Sequence, residues 1–164
     1  QKAADEQIKT KEKEVDAINL RARQRIIELV RKDLAEDLVG RKVAILGAAF
    51  KPDSDDVRDS PALDIAAQIQ AAGAIVTVHD PKAIANAQKR FPALKFAEDI
   101  NNTLKDADIV LHLTEWKIYR DINPGQVKSL VKTAIMIDGR NALDRDARRA
   151  AGWKFRALGR SDNE

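Results

Sequence analysis

A chain of 164 residues has the length of one domain with room for an appendage, and at 44% apolar and 34% charged it can bury a core, which excludes global disorder. Its 29 basic side chains are nearly matched by 26 acidic ones, and no dense basic stripe with interleaved aromatics speaks for nucleic acid. The absence of cysteine excludes disulfides, thiolate metal sites and thiol catalysis within these residues; no apolar run approaches the roughly 20 residues of a membrane helix and no secretory pattern opens the chain, so a cytoplasmic protein is expected.

Residues 1–39 contain neither Gly nor Pro and are rich in Lys, Glu, Arg and Ala. Ile8, Val15, Ile18, Ala22, Ile26, Leu29, Val30, Leu34 and Leu38 recur at threes, fours and sevens, which predicts a long amphipathic helix ended by Gly40. The stripe is thin before Ile18 and thicker after it, so the later turns are expected to pack. From Val43 onward, apolar β-rich runs at 43–46, 74–78, 94–97, 108–113, 133–137 and 153–158 alternate with helical stretches near 61–72, 82–90, 98–105, 124–131 and 144–151. Nearly continuous apolar strands alternating with helices predict an α/β domain over 40–164: a Rossmann-like, doubly wound, mostly parallel sheet preceded by the long helix. Ser60-Pro61, Asp80-Pro81 and Asn123-Pro124 mark helix starts.

The loop after the first strand carries Lys51 and Arg58. A lysine ammonium is a compact charge for a phosphate, and an arginine fork bonds two oxygens at once. From the residues alone, surface cations paired with Asp53, Asp55, Asp56 or Asp59 are the favoured reading. Asp80 ends the second strand, where dinucleotide-binding domains place an acid on ribose hydroxyls; the turn Gly47-Ala48-Ala49-Phe50 lacks the glycine fingerprint, and a helix cap is the favoured reading. Arg140, after Gly139, lies at the ligand edge of the sheet or is a surface arginine on a plain turn. Trp116 is a stacking platform or, more ordinarily, a ring packed over a helix end. His79 and His112 have no third ligand at metal spacing, so no metal site is assigned. Ser60 lacks a nucleophile elbow.

Taken together, Gly47-Ala-Ala-Phe-Lys-Pro-Asp-Ser-Asp-Asp-Val-Arg-Asp-Ser-Pro61, Asp80-Pro-Lys-Ala83, Thr114-Glu-Trp116, Ile137-Asp-Gly-Arg-Asn141 and the closing Gly152-Trp-Lys-Phe-Arg-Ala-Leu-Gly-Arg160 resemble the C-terminal domain of UDP-glucose 6-dehydrogenases over about residues 17–160. The resemblance implies NAD-dependent, two-step oxidation of UDP-glucose to UDP-glucuronate. It further implies an N-terminal NAD-binding domain upstream, a connecting helix that also contributes to a homodimer, and a C-terminal domain that holds the UDP part. By position, Phe50 and Lys51 match residues that contact the UDP-sugar, Arg140 matches a substrate-contacting arginine, and Arg58 matches the arginine that reaches NAD. No catalytic residue is assigned, because the family's cysteine lies upstream; the chain is expected to be a fragment that is inactive alone. His79 stands where a tyrosine is common, and Ile118-Tyr119 departs from the usual pair. Dehydrogenases of UDP-N-acetylmannosamine or GDP-mannose share the Phe-Lys…Arg-x-Ser-Pro loop and are the alternative, beside a non-catalytic nucleotide-binding or assembly module.

Overall fold

The computed structural model describes residues 20–158. Six strands form one parallel sheet: β1 (Lys42–Leu46), β2 (Ile75–His79), β3 (Lys95–Phe96), β4 (Ile109–His112), β5 (Ile135–Asp138) and β6 (Lys154–Ala157), in the order β3-β2-β1-β4-β5-β6. This is the doubly wound arrangement the alternation predicts, with its switch point between β1 and β4. The central strands β4 and β5 are buried along their whole length, and β1 after its first residue, which explains why they read as unbroken apolar runs rather than alternating ones.

Helix α1 runs through 20–33, and α2 (Pro61–Ala71), α3 (Ile84–Arg90), α4 (Ile100–Leu104), α5 (Lys117–Arg120), α6 (Pro124–Lys128) and α7 (Arg145–Ala150) fill the crossovers. The expected helices after the first strand are all present, some shorter than the apolar pattern suggested. The four-residue α5 is an addition. It follows Trp116 and buries Tyr119, a single-turn burial too short to show helical periodicity.

The first helix ends six residues before 39. Ala35 and Glu36 both take positive φ, and Glu36 N–H bonds back to Arg31 C=O (2.7 Å) while Ala35 N–H meets Lys32 C=O (3.4 Å). That is a Schellman-type closure made without glycine. Gly40 also has positive φ (74°), but it serves the turn into β1, donating its N–H to Gly73 C=O. Ile26, Ile27, Val30, Leu34 and Leu38 are buried, so the later stripe packs as expected. Ile8, Val15 and Ile18 lie outside the described residues. Ion pairs lock this helix to the sheet: Asp33, with its side chain fully buried, meets Lys154 Nζ (3.0 Å) and Arg156 Nε (2.8 Å) on β6, and Arg23 meets Asp64 on α2 (3.2 Å).

α2 begins as predicted. Ser60 is the N-cap, its Oγ accepting from Leu63 N–H (3.3 Å), and Pro61 occupies the first turn where no amide partner is needed. Asn123 caps α6 in the same way, accepting from Gly125 and Gln126 N–H. The α3 start differs. Asp80 Oδ1 accepts from Lys82 N–H (2.9 Å) and Ala83 N–H (2.8 Å), so it closes the turn ahead of the helix, and Ala83 takes the N-cap place without a side-chain bond.

Candidate functional site

Parallel strands present their following loops at one edge, and ligands of such sheets bind there, beside the switch point. The loops after β1 (47–60), β4 (113–116) and β5 (139–144) meet at that edge. Since β1, β4 and β5 are successive strands, the β1 and β5 loops start roughly 10 Å apart.

The 47–60 loop is built, not slack. Gly47 has φ +110°, and a side chain there would fall 2.5 Å from Thr114 Cβ and Oγ1, so only glycine serves. Phe50 N–H bonds Asp56 C=O (2.8 Å), Asp56 N–H bonds Ser54 Oγ, Asn86 Nδ2 on α3 donates to Asp55 C=O, and Arg23 on α1 donates to Asp59 C=O. From this frame Phe50 projects with 47% of its surface exposed. Lys51 beside it is exposed and makes no ion pair among the described residues.

Arg58 is exposed but held by Asp56: its Nε (3.1 Å) and Nη2 (2.9 Å) donate to the two carboxylate oxygens, and its own N–H bonds Oδ1. These hydrogen bonds draw the Asp56 carboxyl down to about 2 and raise the Arg58 guanidinium further above its usual range. Lys89 and Arg90 flank the same concavity. Of the aspartates weighed as partners of Lys51 and Arg58, only Asp56 forms a side-chain hydrogen bond or ion pair with either one among the described residues, while Asp59 adds its charge from farther off.

Arg140 is anchored twice. Its N–H bonds Asp138 Oδ1 (2.9 Å), and its guanidinium donates to Glu115 through Nε (2.5 Å) and Nη2 (3.5 Å). Asp138 is buried among His112 Nδ1 (2.8 Å) and the N–H groups of Arg140, Ala142 and Leu143. Burial pushes the Asp138 carboxyl up, but the His112 hydrogen bond and charge and the loop amides outweigh it and hold the group below its ordinary value. Gly139 serves packing rather than ligand approach: a side chain there would meet Ile26 Cδ1 at 2.9 Å and Leu113 Cδ2 at 3.0 Å.

The fold therefore brings Phe50, Lys51, Arg58 and Arg140 to one edge of the sheet. No hydrogen bond or ion pair joins them to one another among the described residues. One partner escaped the sequence reading, and for Trp116 the packed alternative holds. Glu115 was visible only as part of a motif, and nothing local ties it to Arg140, 25 residues on. Trp116 is 6% exposed and donates its indole N–H to Asp80 Oδ2 (3.2 Å), so it is a buried strut and not a stacking platform. His79 and Tyr119 form a second buried pair (Nδ1 to Oη 2.6 Å), packed edge-to-face.

A family model for the UDP-glucose/GDP-mannose dehydrogenase family, UDP binding domain, matches residues 44–145. The UDP-glucose 6-dehydrogenase of Rhizobium meliloti (strain 1021) is 38% identical over 126 residues, which are 77% of this chain and 29% of that protein. UDP-glucose 6-dehydrogenase TuaD of Bacillus subtilis (strain 168) is 38% identical over 122 residues, 74% of this chain and 26% of its own. Among solved structures, a UDP-glucose dehydrogenase of the hyperthermophilic archaeon Pyrobaculum islandicum superposes with a TM-score of 0.73 at 29% identity, covering 88% of this chain and 31% of that one. The chain thus spans less than a third of the length of these relatives. With its strand order, its edge loops and these matches in agreement, the chain belongs to the UDP-glucose/GDP-mannose dehydrogenase family and carries that family's UDP-binding domain.

Proposed function

We propose that this chain is the substrate-holding part of an NAD-dependent UDP-glucose 6-dehydrogenase, in which residues 1–39 form the connecting segment and 40–164 bind the UDP moiety. The observation that carries this is Lys51: an exposed ammonium without an ion pair among the described residues, beside a projecting Phe50, on a braced loop at the carboxyl edge of β1. An exposed cation with no ion-pair partner among the described residues is suited to a diphosphate, and the adjacent ring offers an apolar face to the nucleotide. Arg140 supplies a second cation from the β5 side.

The work of these residues is positioning. Holding the diphosphate fixes the sugar carbon relative to reacting groups that lie outside these residues, and immobilisation of that kind accounts for a large part of many rate enhancements. The oxidation needs a thiolate for its covalent step, and no cysteine is present here. NAD, bound by an N-terminal domain, would accept the hydride. Arg58 fits the edge of that cofactor site: it is exposed, it is oriented by Asp56, and it lines a concavity in which Lys89 and Arg90 offset Asp55 and Asp56. The homodimer through the connecting helix belongs to the same proposal and rests on the family resemblance. No helix among the described residues is long and apolar enough to cross a membrane. The proposed use of UDP-glucose and NAD is the ground on which we assign the enzyme to the cytoplasm.

Calorimetric titration of this chain with UDP tests the reading. Lys51→Ala should weaken binding roughly 10- to 100-fold, the worth of a charge-assisted bond that replaces no internal one. Arg140→Ala should cost less, since Arg140 must first release Glu115. The chain mixed with UDP-glucose and NAD should yield no NADH. Absence of UDP binding by the folded parent, or equal affinity of Lys51→Ala, overturns the assignment.

A further inference from the structure

In a sheet of this order, the turn after β1 is where a dinucleotide delivers its pyrophosphate to backbone N–H groups, and the acid ending β2 takes the ribose hydroxyls. Here both elements are present and both are turned on each other. Asp80 Oδ2 accepts from Ala48 N–H (2.9 Å) and Ala49 N–H (3.0 Å), the two amides that follow Gly47. The same oxygen accepts from Trp116 Nε1, while Oδ1 accepts from Lys82 and Ala83 N–H. Five donors surround one carboxylate that is 3% exposed. Two carboxylate oxygens offer about four lone-pair sites, so no acceptor capacity is left over.

The rest of the turn is closed in the same manner. Gly47 N–H donates to His79 C=O (2.8 Å), Ser60 Oγ donates to Ala48 C=O (2.6 Å), and Thr114 Oγ1 donates to Ala49 C=O (2.8 Å). A concavity of about 470 Å³ lies beside Asp80, lined also by Pro81, Lys82, Ile84 and Glu98. It sits where a ribose would follow β2, yet the acid that would receive the hydroxyls has its oxygens engaged inward.

We propose that Asp80 determines nucleotide specificity in this domain by occupying the phosphate cradle with its own carboxylate. A pyrophosphate entering the turn would have to displace an anion already bonded by five N–H groups, or share the cradle with it at close range, where like charges repel strongly in a water-poor site. Dinucleotides are thereby refused at the β1–α2 turn, and the cations available to a nucleotide are those of the outer loops, Lys51 and Arg140. A buried carboxylate used only for packing would leave no anion site behind when removed; a surrogate phosphate would.

Thermal unfolding of this chain and of Asp80→Ala, in phosphate and in chloride at matched ionic strength, separates the two. In chloride the variant should lose about 10 °C, the cost of several stranded buried donors. In phosphate it should regain a third or more of that deficit, saturably and beyond any gain of the parent. A deficit that is equal in both salts overturns the proposal. If the variant is unfolded in both, the parent decides through the Ala48 amide and Trp116 indole N–H resonances. These should stay in place on titration with ADP, and movement of both overturns the proposal. UDP should shift Phe50, Lys51 and Arg140 but leave the two reporters unmoved. UDP that moves nothing refutes the UDP reading and leaves the closed cradle standing.

Discussion

Asp33 is the strongest link between α1 and the sheet, and its removal is a quantitative test of how firmly the connecting helix is joined to this domain. The carboxylate is fully buried and bonds Arg156 Nε through both oxygens (3.0 and 2.8 Å) across 123 residues of chain. Lys154 is the lesser partner: its side chain is 55% exposed, so its 3.0 Å contact is worth well under about 1 kcal/mol. Arg156 is 9% exposed at its side chain, and breaking a buried pair of this kind costs about 3–5 kcal/mol. Two effects reduce the figure. Arg156 keeps further interactions, and a carboxylate in the last turn of a helix opposes the helix dipole by roughly 0.3–1 kcal/mol, which Asn relieves. We expect Asp33→Asn to destabilise the chain by about 2–3 kcal/mol, a Tm loss of roughly 5–10 °C for a domain of this size. Urea unfolding followed by far-UV circular dichroism reads this directly. A variant within about 0.5 kcal/mol of the parent, the scale of an ordinary surface substitution, would mean that the apolar residues of α1 hold it unaided.

Two further expectations bear on the edge loops and the buried network. Glu115→Gln should tighten UDP binding about 2- to 10-fold, because the ligand no longer competes with a carboxylate for Arg140, and its effect should vanish in an Arg140→Ala background; weaker binding would instead make Glu115 a positioning residue for that arginine. Burial lowers the pKa of His79, against the opposing charges of Asp80 and Asp99 and the Glu98 carbonyl, so between its folded pKa and about 6.5 the unfolded chain binds more protons than the folded one. Stability should therefore be full above about pH 6.5 and fall as pH drops through that window, by at most about 1.4 kcal/mol per unit for one proton. His79→Gln should flatten the fall, and an unchanged slope would assign it to other groups.

The strand and helix pattern was readable because each element obeys one dominant period. β4 and β5 are buried on both faces and appear as apolar runs; α2 carries its proline and its apolar spacing in eleven residues, with its cap just ahead of them. Where the pattern misled, a local term was overruled by packing. Ala35 and Glu36 have no composition signal for positive φ, yet they end α1 because Leu34 and Leu38 must both turn onto the core. Gly40, the expected terminator, was the residue with the right chemistry for a cap in the wrong turn.

The edge cations were legible for a related reason. Lys51, Arg58 and Arg140 each follow a strand, and strand ends can be counted from a sequence. The partner of Arg58 was readable too, since Asp56 lies two residues away, but that of Arg140 was not, because a hydrogen bond across 25 residues leaves no local trace. Asp80 shows the consequence. As a lone acid at the end of β2 it supports either a ribose contact or a cap, and neither reading alone is what the fold makes of it. The deciding facts are the amides of Ala48 and Ala49 and the indole of Trp116, three donors from two other loops converging on one oxygen. A Rossmann-like fold therefore does not by itself imply a dinucleotide site. The same strand order can present its turn amides to a ligand or to its own carboxylate, and here the acid that ends β2 turns onto those amides.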